Sequence, residues 1–298
     1  MSAYEKFKRK YLQYDESQEH IVDQYIVWVN DTKYMIMGKK SEVEIEYFAV
    51  KCAKRGNDVY RWSVSKRFNK LLSGVEDVHF FNRKDRGIKK TRALFITLTF
   101  NTKICSWEEA WESSSRDFNR FMANVRKRFG GISCCRVYEA SSKGYPHIHC
   151  ILLFDCYEFS VFRDSRGRFR IRSKTVFDMF WHSFVDVQAM DRVGGGLGYI
   201  KKYMLKCVDV ENSNSKTVLT LALTWTFRKR SFSISGKFHY VLREMYEKNN
   251  GEFKDEKYVK KIVFFIIGFF SAHIFGFGYD IWFKKLDVKW VDSYFKGG

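Results

Sequence analysis

Proline is almost missing from this chain. Pro146 is the only one in 298 residues, and it stands at a strand entrance, one of the few places where a strand accepts it. Cysteine is present without pattern: seven residues, an odd number, and no Cys-x-x-Cys pair. That argues against a disulfide framework and for a reducing, cytoplasmic setting, with the cysteines as small buried hydrophobes or incidental thiols. There is no Gly-x-x-x-x-Gly-Lys-Ser/Thr loop, so a fused P-loop helicase is not implied. The opening residues carry no apolar stretch, and no secretory signal is expected. Acidic residues are scarce beside basic ones, 34 against 53, giving a formal charge of +19. Such an excess favours a polyanionic partner, either nucleic acid or an anionic membrane surface.

Charge is also missing locally. Residues 262–279 hold nothing ionised at pH 7 and lie between Lys260-Lys261 and Asp280. As a helix they would cover about 27 Å, close to a bilayer core, although Gly268, Gly276, Gly278 and His273 weaken a helix. Two readings stand: membrane association through 262–279, or a buried core or oligomer-interface segment. Aromatic residues, in contrast, reach 18%. Most phenylalanines belong in a core, and rings left exposed among cations suit single-stranded DNA.

The most informative stretch runs from Gly144 to Phe154. It reads as a turn entering a strand, with His147 and His149 at i and i+2 and hence on one face. Ile148, Cys150 and Leu152 then face the core. Two imidazoles side by side make half of a divalent-metal site. Glu139 belongs to the preceding strand, and residues 141–144 form the turn between, so Glu139 can sit across from the histidines and add an oxygen ligand. Two nitrogens and a carboxylate leave positions for water and a substrate oxygen, an open arrangement of the catalytic kind.

Further on, Tyr199 and Tyr203 are four apart, and each is followed three positions later by a lysine, Lys202 and Lys206. On a helix opening after Gly194-Gly195-Gly196 these share a face. A phenol with a pKa of about 10 is a poor nucleophile at neutral pH, and a neighbouring ammonium favours the phenolate.

The order of these pieces, a Phe95-Ile96-Thr97-Leu98-Thr99-Phe100 strand, the His147-Ile148-His149 strand and the Tyr199/Tyr203 helix, resembles the HUH endonucleases. Among them it is most similar to rolling-circle replication initiators of plasmids and small viruses. Paired tyrosines four apart resemble the two-tyrosine initiators of some bacteriophages. Residues 181–188 and 225–233 are similar to segments found in such proteins, the latter in archaeal plasmid initiators. The resemblance covers roughly residues 90–235. It implies Mg²⁺ or Mn²⁺ held by His147, His149 and Glu139, attack by Tyr199 or Tyr203 on a single-stranded origin, and a 5′-phosphotyrosine link. It also implies partnership with a host helicase and polymerase. Alternatives are a transposase or relaxase of the same superfamily, a non-enzymatic DNA-binding or membrane-tethering protein, and a metal nuclease acting through water.

The expected fold is α+β, a central antiparallel sheet with helices packed on it. Residues 1–90 form a basic N-terminal region, 91–235 the nicking domain and 236–298 a C-terminal region. Within the first, residues 51–72 are strongly basic and read equally as an arm on duplex DNA or as a solvated helix face. Residues 91–100 read as one strand. A capping box at Ser106–Glu109 starts a helix at about Trp107 that stops at Gly130-Gly131. A hairpin follows over 132–139 and 146–154, then a basic loop or short hairpin (163–172), a helix (175–182), a strand (184–188) and the tyrosine helix (196–208).

Overall fold

The computed structural model describes residues 16–41, 44–75, 78–205, 215–230, 232–238, 263–271, 281, 283–287 and 291. The chain divides into two compact units: Met1–Tyr25 with Ser63–Glu247, and Ile26–Trp62 with Lys248–Gly298. Helices α1 (Glu16–Asn30) and α2 (Asp58–Ser73) each cross a boundary between them. The fold is α+β, as the sequence implies, and its strands pair antiparallel.

The larger unit is built on five strands: β4 (Ala93–Thr99), β5 (Ile132–Ala140), β6 (Pro146–Phe154), β9 (Val185–Ala189) and β10 (Phe232–Ser235). Their order is β10-β5-β6-β4-β9, every neighbour antiparallel. The central strands β4 and β6 are apolar nearly throughout, as strands covered on both faces must be. The helix α3 (Trp107–Phe129) lies under one face. Its buried residues recur every three or four positions, including Trp107, Trp111, Phe118, Phe121 and Val125, the spacing of a single helical stripe. The capping box forms as expected: Ser106 Oγ accepts from the Glu109 backbone N–H at 3.2 Å, and Glu109 Oε2 accepts from the Ser106 N–H at 2.8 Å. At the far end Gly130 adopts φ 85° and donates its N–H to Arg126. Helix α4 (Lys174–Trp181) joins the same layer through rings: Phe177 stacks on Phe129, which meets Phe154 edge-on.

The β5–β6 hairpin closes through Gly144, whose φ of 82° lies where a side chain is strained. The turn is tied three ways: Ser141 N–H to Tyr145 O, Gly144 N–H to Ser141 O, and Trp111 Nε1–H to Gly144 O at 2.7 Å. Gly144→Ala forces that φ and pushes a methyl onto the Gln18 amide. It is expected to cost about 1–2 kcal/mol, read as a lowered urea midpoint with an unchanged slope.

Two local differences from the sequence reading have physical causes. Residues 91–100 are not one strand. β3 (Lys89–Thr91) pairs with β7 (Phe159–Arg163), and β4 begins at Ala93. The break is held by Thr91 Oγ1, which donates to Met190 O at 2.7 Å and accepts from Ala93 N–H. The basic stretch 163–172 closes a short hairpin of β7 with β8 (Phe169–Ile171), one of the two forms expected of it. The tyrosine helix, α5 (Val193–Leu205), opens earlier than expected and takes in the glycines. A Cβ on Gly196 would lie 2.3 Å from Met190 Cε and 3.0 Å from Ile151 Cδ1. The glycine is there so that the helix can approach the sheet closely, not to start it.

The smaller unit holds a second antiparallel sheet in the order β11-β1-β2-β12, from β1 (Lys33–Lys40), β2 (Ile45–Lys51), β11 (Val263–Ser271) and β12 (Phe283–Leu286). A helix over 262–279 is therefore corrected for the part described: 263–271 is a strand paired along its length with β1. Its β-branched and aromatic residues favour that state, and the register shift opposite Ile36/Met37 takes up an extra residue beside Gly268. Ile267 and Phe270 pack against Tyr34, Ile36, Tyr47 and Leu286, whereas Ile266 and Phe269 are exposed. Residues 262 and 272–279 lie outside the described residues. No helix among the described residues is long and apolar enough to cross a membrane.

Candidate metal and nucleophile site

Register decides which side chains meet. In the hairpin Glu139 pairs with His147 and Val137 with His149, and across β4 His149 pairs with Thr97 and His147 with Thr99. Directly paired residues share a sheet face, so Glu139, His147, His149 and Thr97 project together. The glutamate and both histidines offer ligand atoms that all lie within 4.8 Å of one another. The three residues expected to meet do meet.

His149 is the centre of the group and is buried at 6% exposure. Its Nε2 lies 2.8 Å from Glu139 Oε2 and its Nδ1 3.0 Å from Thr97 Oγ1. Phe95 stacks on the imidazole at 5.9 Å between ring centres. The Lys216 ammonium, from α6 (Ser215–Thr226), reaches the other carboxylate oxygen of Glu139 at 2.9 Å. That helix is itself docked on the end of β5, where Thr220 Oγ1 accepts the Ala140 N–H at 2.8 Å.

Electrostatics ready the group for a cation. Burial alone would raise the Glu139 carboxyl, but hydrogen bonds from His149 and Lys216 outweigh it and hold it below its ordinary range. Burial, with the charges of His149 and Lys216, pushes His147 down to about 4. His147 is thus neutral at pH 7 with a lone pair to give. The sign for stability follows from linkage. Between the ordinary 6.5 and about 4 the unfolded chain takes up a proton that folded His147 refuses. In metal-free buffer, stability should fall as the pH drops through that window, and His147→Gln should flatten the fall. Urea midpoints at a series of pH values measure both.

The donor set fits a divalent metal ion. It offers a hard carboxylate oxygen and two borderline imidazole nitrogens, with the rest of the coordination shell left to water and substrate. Thr97 is placed to hold the His149 tautomer through Nδ1 while Nε2 turns to an ion, the usual task of an outer partner.

Tyr199 stands one ring away. It meets Phe95 edge-on at 5.3 Å, and Phe95 in turn lies on His149. Its side chain is 44% exposed, so it is open to an incoming strand. The side chains of Lys202 and Tyr203, and Lys206 altogether, lie outside the described residues. Lys201, by contrast, bonds to Asn69.

Sequence reasoning missed Lys216, Thr97 as a ligand partner, and Phe95 as the bridge between imidazole and phenol. The two β4 residues were within the quoted strand, and their alternation with the histidine strand was the available signal. Nothing in the sequence around Lys216 could have marked it. Among the described residues Cys52, Cys105, Cys134, Cys135, Cys150 and Cys156 are all free thiols. Burial pushes Cys135 and Cys150 up, which leaves them as inert hydrophobes. In α2, Val64, Phe68 and Leu71 are buried while Arg61, Lys66 and Arg67 are exposed.

Residues 93–208, which hold both histidines, Glu139 and the tyrosine helix, match the family model of the ORF2-type replication-associated proteins. No curated protein and no solved structure matches the chain.

Proposed function

Taking the match of residues 93–208 to the ORF2-type replication-associated proteins as premise, we propose that this chain initiates rolling-circle replication. It does so by nicking and rejoining single-stranded DNA at an origin through a phosphotyrosine. The observation that carries the reading is the juxtaposition of Glu139, His147 and His149 within 4.8 Å on a sheet face whose Phe95 links His149 to Tyr199.

In this reading residues 91–235 carry the chemistry. His147, His149 and Glu139 hold Mg²⁺ or Mn²⁺. When bound, the ion polarises the scissile phosphate and offsets charge on its non-bridging oxygens. Tyr199, or Tyr203 one turn on, attacks phosphorus through its phenol oxygen. The P–O bond to the 3′ carbon's oxygen breaks, the phenol loses its proton and the departing 3′ oxygen gains one. One ester replaces another, so rejoining is the same step reversed and needs no nucleotide hydrolysis. Two tyrosines let the second cut a regenerated origin while the first still holds the strand. Lys202 and Lys206, each three positions after a tyrosine, supply charge that favours the phenolate, and Lys216 keeps Glu139 ionised and aimed. The free 3′ hydroxyl is a primer for a host polymerase, with a host helicase opening the duplex. The overall charge of +19 draws in the strand, and the exposed cations of α2 offer phosphate contacts.

The test is direct. Full-length protein, a labelled single-stranded oligonucleotide library and Mn²⁺ should give a band that survives denaturing electrophoresis and disappears in EDTA. A nuclease acting through water would cut the DNA and leave no such band. A non-enzymatic DNA-binding protein would bind it without cutting.

A further inference from the structure

Beside Tyr199 the sheet edge opens into a cavity of about 410 Å³, within the range of small-ligand pockets (~300–1,000 Å³). Its floor is apolar, made by Phe95, Ala189 and Met190. Its walls are polar: Gln188 from β9, and Arg83 and Arg192 beside the start of α5. None of these groups belongs to the metal triad.

The charge balance in the walls is specific. Arg83 makes a two-point ion pair with Asp191, Nε to Oδ2 at 2.8 Å and Nη2 to Oδ1 at 2.7 Å. The one acidic group of the cavity is therefore matched. The Arg192 guanidinium makes no ion pair or hydrogen bond among the described residues, which leaves one cation in surplus. A surplus guanidinium at a cavity mouth suits a phosphate, which it can grip with two N–H groups. Gln188 is pinned rather than loose: its amide nitrogen donates to Asp186 Oδ2 at 2.9 Å. Asp186 is held in turn by Arg170 at 2.7 Å. The amide has two hydrogens and a carbonyl oxygen. One N–H and the oxygen remain, a donor and an acceptor of the kind that reads the edge of adenine.

An apolar floor, a pinned amide and a surplus cation next to a phenol match the parts of a nucleotide. We propose that this cavity receives one nucleotide of single-stranded DNA adjoining the bond that Tyr199 attacks, with its phosphate on Arg192 and its base edge, adenine foremost, on Gln188. The proposal rests on the nicking reading above and adds to it where sequence specificity at one position comes from.

The experiment separates the two. Full-length protein, Gln188→Ala and Arg192→Ala are each used to select from a random single-stranded library in EDTA, where no cutting occurs, and their Mn²⁺ affinities are measured by calorimetry. Gln188→Ala should lose about tenfold of the preference at one position next to the cut. Arg192→Ala should weaken all sequences alike and reduce the salt slope by about 0.7. Both should bind Mn²⁺ as the parent does, which shows that they are folded at the neighbouring site. If both variants select the parent's sequences with the parent's salt slope while the parent forms its covalent band, the cavity proposal is overturned and the nicking reading stands. If the parent neither binds single strands nor forms the band, both are overturned.

Discussion

Changing Tyr199 and Tyr203 together to phenylalanine should reduce covalent protein–DNA adduct by at least about 10³-fold, some 4 kcal/mol of transition-state stabilisation. The substitution removes two oxygens and little else. The Tyr199 ring sits edge-on to Phe95 at 5.3 Å and is 44% exposed, so phenylalanine can keep that ring contact. Mn²⁺ affinity should not change, because neither phenol is a ligand in this account. The single variants carry the finer information. If the tyrosines share the work, each alone keeps a first cut but loses the second, and product circles stop being released. If Tyr199 is the sole nucleophile, Tyr199→Phe matches the double variant. An adduct undiminished in the double variant would place the nucleophile elsewhere.

The second large effect concerns His149. Three groups converge on its ring: Glu139 at 2.8 Å, Thr97 at 3.0 Å and the stacked Phe95. His149→Ala removes a proposed ligand and also deprives Glu139 of the partner that holds its second oxygen. Mn²⁺ affinity is expected to fall at least about 100-fold, since losing only an outer partner costs about 10–100-fold, and the adduct should vanish with it. Thr97→Val, which leaves every ligand in place but removes the hydroxyl at Nδ1, should cost about tenfold in affinity. That graded pair distinguishes a metal site from a structural hydrogen-bond cluster. In a purely structural cluster both variants would lower stability, and the parent would bind Mn²⁺ no more tightly than either. Calorimetric titration with Mn²⁺, alongside urea unfolding, gives both readings.

Much of the site was legible because strands and caps obey short-range rules. His147 and His149 had to share a face once they lay on a strand, and the tight Ser141–Gly144 turn had to bring Glu139 opposite. The capping box and Gly130 bounded α3 to the residue, because both signals are local backbone chemistry. The glycine run before Tyr199 misled. Three glycines look in isolation like a break before a helix, and only the closeness of Met190 and Ile151 makes glycine the residue that the helix needs at Gly196. Residues 263–271 left two readings open for a related reason. An uncharged apolar run fits a strand as well as a helix, and what decides is its partner β1, which lies far away in sequence. Lys216 and the Arg83–Asp191 pair were invisible for the same reason: each joins elements far apart along the chain.

The central claim is that a phenol in α5 forms a bond to DNA phosphorus beside the Glu139–His147–His149 group. The most direct measurement is tandem mass spectrometry of the protein–oligonucleotide band formed with Mn²⁺, after protease and nuclease digestion. The account predicts a nucleotide joined through its 5′ phosphate to Tyr199 or Tyr203. Modification of any other residue, or cut DNA with no nucleotide on the protein, would contradict it.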